Sequence, residues 1–390
     1  MLCTGCLILL LQSAGLDIWK ESITKNLPLV CLIIVVPILA VPINLGKYDN
    51  NIAELAAKLN GNLKLLYLFL TSLFYILGPI TNLGSIHIIH SMVQKLRLPA
   101  KILGRIYVRG FSSINTWAPY FASVFLVVYY LEIPMAEFLP YGLLLSLFQF
   151  LTGNILFSLR EVRSISFETL ELRSQNGAKK LYELFFILLL LIGFIFYLEP
   201  YINVNVSVLI ILTSVFFSVI WSIYLKKFNG FIHETEVFRN SIIPKQANEI
   251  SLFLSAGFFG VVLSTTVISD YLNLIWSQVA GVSILLLILF TIGLVGAMSF
   301  LGIHQIVIIS SILASVEPSL IGIDDITLAM ILLSSWAIAG TVSPITPTNI
   351  VTSNILNVNV YQIILKWNLL YSVILAVVHT LIIYIVHLLA

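Results

Sequence analysis

Apolar residues gather along this chain into long stretches, near 2–16, 27–45, 63–94, 106–131, 138–158, 181–198, 203–225, 250–270, 273–315, 326–356 and 367–389. Most are long enough to carry a helix across about 30 Å of hydrocarbon. The first is short for that task. The stretches at 63–94 and 273–315 are longer than one crossing requires, and they predict hairpins that enter and leave on the same side. Two further stretches hold polar interruptions that a plain membrane helix has no reason to carry. Between Trp336 and Val358 the chain reads WAIAGTVSPITPTNIVTSNILNV, with Pro344 and Pro347 ringed by Thr341, Ser343, Thr346, Thr348, Asn349, Thr352, Ser353 and Asn354. Proline removes a backbone donor and clashes with the preceding turn. In lipid the freed carbonyls need partners, so such a break belongs where protein shields it or a polar cavity meets it. The stretch 106–131 carries a similar break, RGFSSINTWAPYFAS, with Ser112, Ser113, Asn115, Thr116 and Pro119. The pattern therefore predicts two broken helices, 106–131 and 326–356, and points to solute transport.

Composition fixes the class. Of 390 residues 59% are apolar and 10% are charged, against about 25% charged in a soluble domain. An all-α polytopic membrane protein is expected. The net charge of +2 gives no reason to expect nucleic acid. The position of each charge says more. With the N-terminus inside and both hairpins re-entrant, 18 of the 20 Lys and Arg residues fall inside, leaving Lys20 and Lys25 outside. Glu132, Glu137, Glu199, Asp270, Glu317, Asp324 and Asp325 fall outside. That sorting follows the positive-inside rule and predicts a bacterial-type cytoplasmic membrane, with the C-terminus outside. A cleaved signal peptide is the alternative for 2–16, but it shows no basic n-region or A-x-A site. Cys3, Cys6 and Cys31 sit in apolar sequence and read as packing residues.

The two halves repeat. GPITNLGS (78–85) aligns with GAMSFLGI (296–303) at a spacing of 218, and Pro119 aligns with Pro344 at 225. Residues 1–158 form the first unit, 159–202 a cytoplasmic linker and connecting helix, and 203–390 the second unit. The connecting helix makes the second unit start on the opposite side, so the repeats are expected to be inverted. This architecture gives alternating access around a midplane site. The segments 159–180 and 226–249 read as charged, solvated connections. Segment 46–62, with Ile52, Leu55, Ala56 and Leu59 on one helical face, reads as an interfacial amphipathic helix or a plain loop.

This arrangement resembles the ion transporter superfamily, which includes divalent-anion/sodium symporters, citrate and gluconate permeases and the membrane subunits of tripartite dicarboxylate transporters. The resemblance implies inverted repeats, each with a re-entrant hairpin and a broken helix. It also implies Ser-Asn-Thr type motifs that bind sodium and substrate carboxylates at those elements. Here the first tip reads Ile80-Thr81-Asn82, the second Met298-Ser299-Phe300, and the second break Ser343-Pro344-Ile345-Thr346-Pro347. The ligand set expected from the residues is Thr81, Asn82, Gly84, Ser85, Ser112, Ser113, Asn115 and Thr116 in the first half. Ser299, Gly302, Thr341, Ser343, Thr346, Thr348 and Asn349 make up the second. Helix N-termini beyond each break suit a carboxylate. Helix packing is the competing reading for each hydroxyl.

No Asp or Glu falls in the interior of the expected spans, Glu183 and Asp270 lying at the ends of theirs, which argues against a cation/proton antiporter of the usual type. His87 and His304 are the candidate proton carriers. Arg105 and Arg109 are expected to snorkel to the interface. The function expected is secondary transport of a small organic anion, coupled to Na+ or H+. No cofactor is expected beyond Na+ as a coupling ion. The partners expected are the anion and the lipid bilayer, with a homodimer left open. The alternatives are an antiporter, a membrane-embedded enzyme acting on a lipid-linked substrate, and a channel.

Overall fold

The computed structural model describes residues 1–46, 48–59, 61–162, 177–202 and 206–389. The centre of the expected linker, 163–176, lies outside the described residues, as do Lys47 and the side chain of Ile52. Among the described residues the structure is helical throughout and has no strand. Eight helical segments are long and apolar enough to cross a membrane, and the chain is an integral multi-pass membrane protein.

A short helix α1 (Leu2–Leu11) precedes a helical run Leu16–Gly46 made of α2 (Leu16–Thr24), α3 (Leu27–Val35) and α4 (Ala40–Gly46). Helix α5 (Tyr48–Lys58) follows. The first hairpin is α6 (Leu63–Thr81) and α7 (Gly84–Val93). Asn62 starts it, its side-chain oxygen accepting from the backbone N–H groups of Lys64 and Leu65, as an N-cap does. The first broken helix is α8 (Ala100–Ser112) and α9 (Ala122–Tyr130), and the long α10 (Met135–Leu156) comes next. Helices α11 (Gly177–Leu198) and α12 (Val206–Tyr224) connect the halves. Then come α13 (Phe228–Val237), α14 (Ala247–Ser264) and α15 (Val267–Val282). The second hairpin is α16 (Ile284–Phe300) and α17 (Gln305–Ser315). The second broken helix is α18 (Asp325–Val342) and α19 (Pro347–Leu356), followed by α20 (Leu369–Leu389). Asp324 caps α18, one carboxylate oxygen accepting from Thr327 N at 2.8 Å and the other from its hydroxyl at 2.6 Å.

Each half thus presents hairpin, broken helix and long helix in the same order. The broken helices pack on each other, α8 against both α19 and α18, and α9 against α18. Gly104 on α8 lies against the Trp367 ring and near Leu356 at the end of α19, where a Cβ would come within 2.6 Å of the indole.

Several expectations need correction. Helix α1 has 10 residues, about 15 Å at 1.5 Å per residue, so 2–16 does not cross the membrane as one helix. It packs on α14, with Gly5 beneath the Phe258 ring. The second hairpin begins at Ile284, not at 273. Extended backbone at Ser283 (φ −172°, ψ 136°) ends α15, which folds back beside α16 with Trp276 edge-on to Phe290. Asn273 holds α15 in place, donating to Ser315 O at 2.6 Å and accepting from Glu317 N at 3.2 Å. The segment expected as a loop at 226–249 is largely helical. It runs from α13 through a π turn (Phe238–Ile242) and a 3-10 turn (Ile243–Gln246) into α14. Helix α5 packs against α7 and α11, burying Tyr48, Ala56 and Ala57.

Arg105 and Arg109 do not snorkel. Both are buried and share the carboxylate of Glu161, at 3.2 and 3.0 Å. Arg109 also donates to Asn368 Oδ1 and Trp367 O, each at 3.0 Å, and stacks over Tyr371. Glu161, read from the sequence as part of a solvated linker, ends a π turn that extends α10 back into the protein. This cluster ties α8 of the first half to the segment that leads into α20 of the second.

Candidate functional site

Both predicted breaks are present. The first follows a 3-10 turn (Ser113–Thr116) and leaves Trp117 to Phe121 non-helical, with Pro119 at its centre. The second leaves Ser343 to Thr346 non-helical, and Pro347 restarts the chain at the first position of α19, the helical position that tolerates proline best.

The two breaks and the two hairpin tips meet at one cavity of about 240 Å³. The first tip contributes Asn82 and Leu83, the first break Asn115, Phe121, Ala122 and Ser123. The second tip contributes His304 and Gln305, and the second break Gly340, Ile345, Thr346, Pro347 and Thr348. Trp336 on α18 and Ile33 on α3 complete two walls, and Asn248, Glu249, Leu252 and Phe253 on α14 form another. Ile33 lies near the middle of the run Leu16–Gly46, whereas Asn248 and Glu249 open the apolar helix Ala247–Ser264.

Four helix N-termini face the cavity. Leu83 precedes α7, Phe121 precedes α9, His304 precedes α17 and Thr346 precedes α19. All four residues line the cavity, as do Asn248 and Glu249 in the first turn of α14. The positive ends of these four helix dipoles therefore face one space, with His304 Nδ1 accepting from Ile306 N at 3.3 Å. No Lys or Arg lines it among the described residues.

Of the residues expected to bind, Asn82, Asn115, Thr346, Thr348 and His304 line this space. The others lie behind its walls or away from it. Thr81 donates to Leu77 O, Ser85 to Asn82 O, Ser112 to Arg109 O, Ser113 to Gly110 O and Thr116 to Ser113 O. These hydroxyls bond back to their own helices. Thr341 bonds Ile338 O and Ser372 Oγ. Gly84 opens α7, and His87 is exposed outside the lining. Ser299 is buried with no partner for its hydroxyl among the described residues. Gly302 turns the second tip at φ +96°, a conformation that glycine adopts without strain. In the first tip Asn82 takes the positive φ, 49°, so the turns fall two positions apart in the 218 register.

Behind the second break, Asn349 donates through Nδ2 to Gly340 O at 2.9 Å and Ser343 O at 2.7 Å. Thr346 Oγ1 donates to the same two carbonyls, both at 3.2 Å. Asn349 Oδ1 is buried without a partner. Asn115 approaches the end of α8 in the same manner, its Nδ2 3.3 Å from Ser112 O, while Ser123 donates to its backbone oxygen at 2.8 Å. Both amides cap carbonyls freed by a break, but Asn115 does so from before its break and Asn349 from after it.

Sequence reasoning missed Glu249, Asn248, Gln305, Ser123 and Trp336. Glu249 fell one residue outside the expected span 250–270. Its spacing to Leu252 and Phe253, three and four residues on, was the available signal that it shares their helical face.

No family model matches this chain, and no curated protein matches it. A solved structure does. The YdaH transporter of Alcanivorax borkumensis superposes with a TM-score of 0.61 over 93% of this chain and 85% of that one, at 13% identity. That structure is described as having an unusual topology. At this identity the likeness establishes a shared fold.

Proposed function

We propose that this protein is a secondary transporter that moves a small organic anion across the cytoplasmic membrane, coupled to a cation, by alternating access. The observation that carries the reading is the convergence of both hairpin tips and both helix breaks on one cavity. Helix N-termini supply positive potential there without a basic side chain, which suits a carboxylate. The packing of α8 on α19, with Gly104 beside Leu356, supports two inverted repeats, and the charge sorting favours a C-terminus outside. The fold shared with a transporter agrees with this reading.

Na+ takes its ligands from unwound carbonyls and neutral side-chain oxygens in such folds. Gly340 O, Ser343 O, Thr346 Oγ1 and Asn349 form such a set. The Asn349 amide nitrogen lies between the two carbonyls, and turning that amide over would present Oδ1 beside them instead. A cation there offsets the charge of an anion bound at the adjacent N-termini.

A second reading, cation/proton antiport, gains from Glu249, an intramembrane carboxylate of the kind exchangers use. Counterflow in proteoliposomes against a panel of organic anions, with Na+ exchanged for choline, separates the two. Symport gives anion counterflow that depends on the cation. Cation exchange without any effect of anions removes the symport reading.

A further inference from the structure

Among the described residues Glu249 is the one carboxylate lining the cavity, and the transport reading leaves it without a role. It sits in the first turn of α14, half-buried, on the helical face that also presents Leu252 and Phe253 to the same space. One turn further along, α14 is fixed. Asn26 donates to Phe253 O at 2.8 Å, packs against Gly257, and accepts from the Tyr130 hydroxyl at 3.0 Å. The carboxylate is therefore held at the cavity by a helix that is anchored beside it.

Among the described residues Glu249 has no hydrogen-bond or ion-pair partner, whereas Glu161 has two buried arginines. The charged groups around it are few. Of the helices packed on α14, α17 is preceded by His304, which lines the cavity. Helix α2 carries Asp17, Lys20 and Glu21, and α15 carries Asp270, all exposed; α1 and α3 carry none. Lys245 lies one helical turn earlier in the chain. Across the cavity, the first hairpin tip and both breaks line it with Asn82, Asn115, Thr346 and Thr348 and add no titratable group. A second, independent feature lines the same cavity. Gln305 is 5% exposed, lines the same cavity, and its Oε1 has no donor. A protonated carboxyl is a donor; an ionised one is not.

We propose that Glu249 is the protonatable group of this cavity, switching it between a negative and a neutral state. On the transport reading, on which its meaning for coupling rests, the ionised state repels an anion and the protonated state admits it. A like charge in a shared site weakens anion binding on the order of a hundredfold at an effective dielectric near 20. Proton and anion would then travel together, and His304 would be dispensable for that proton.

Infrared difference spectroscopy of the purified, lipid-reconstituted protein tests this without any cargo, so it succeeds or fails independently of transport. Titration between about pH 5 and 9 is expected to reveal a protonated-carboxyl C=O band that shifts in D2O. Glu249→Gln should remove that band and Glu249→Asp should retain it at a shifted midpoint, while His304→Gln leaves it in place. The fluorescence of Trp336, which lines the same cavity, should follow the titration in the wild type and not in Glu249→Gln. A band that survives Glu249→Gln, or a wild type without one, overturns the proposal.

Discussion

Replacing Glu161 by Gln tests whether the two halves are held together by a buried charge cluster. The carboxylate accepts from Arg109 at 3.0 and 3.3 Å and pairs with Arg105 at 3.2 Å. Arg109 is 3% exposed, so its charge has no route to water. Breaking a buried pair by removing one partner costs about 3–5 kcal/mol, because the remaining charge stays desolvated. Gln keeps the shape and one acceptor, which places the expected loss near the lower value, about 3 kcal/mol. Against a total stability on the order of 5–15 kcal/mol, that is a large fraction. The assay is thermal unfolding in detergent, followed by tryptophan fluorescence. The destabilisation should be nearly independent of salt, since screening acts on exposed pairs. Replacing Arg105, Arg109 and Glu161 together by Met should recover much of the loss, because a packed apolar substitute avoids the desolvation penalty. If Glu161→Gln unfolds within about 0.5 kcal/mol of the wild type, the cluster is not a structural tie and the argument fails.

Asn349→Ala removes the amide that caps Gly340 O and Ser343 O. It should abolish counterflow while protein remains in the membrane, and Asn115→Ala should impair it severely; Asn357→Ala, beyond the break, should transport normally. Gly302→Ala places a Cβ at φ +96° and should cost about 1–2 kcal/mol in the same unfolding assay, although nothing crowds that position. Single cysteines at Lys179 and Asp324 should react with an impermeant thiol reagent from opposite faces, Lys179 from the cytoplasm; labelling of both from one face would end the proposed topology.

The sequence made the breaks and tips legible because they contradict their surroundings. Pro119, Pro344 and Pro347 have no place in a plain span, and the glycines of both tips interrupt long apolar runs. What it hid were contacts between distant segments. Arg105 and Arg109 looked like interface residues because Glu161, about fifty positions on, and Asn368, more than two hundred and fifty on, gave no local sign of meeting them. Most hydroxyls in the polar clusters proved to be bonded to carbonyls three or four residues back, a choice that composition leaves open between packing and ligation. Glu249 was hidden by a boundary error of one residue. The helix enters α14 through π and 3-10 turns that include Pro244, features that read as a loop when only apolar length is counted.

The central claim is that the cavity is a transport site open in turn to each side of the membrane. Asn82 lines it and is exposed within it. With Cys3, Cys6 and Cys31 replaced by Ala, a single cysteine at position 82 can be challenged with an impermeant thiol reagent in right-side-out and inside-out vesicles. Alternating access predicts labelling from both faces, at rates that shift in opposite directions when Na+ is replaced by choline. Labelling from one face alone, at a rate indifferent to the ion, would contradict it.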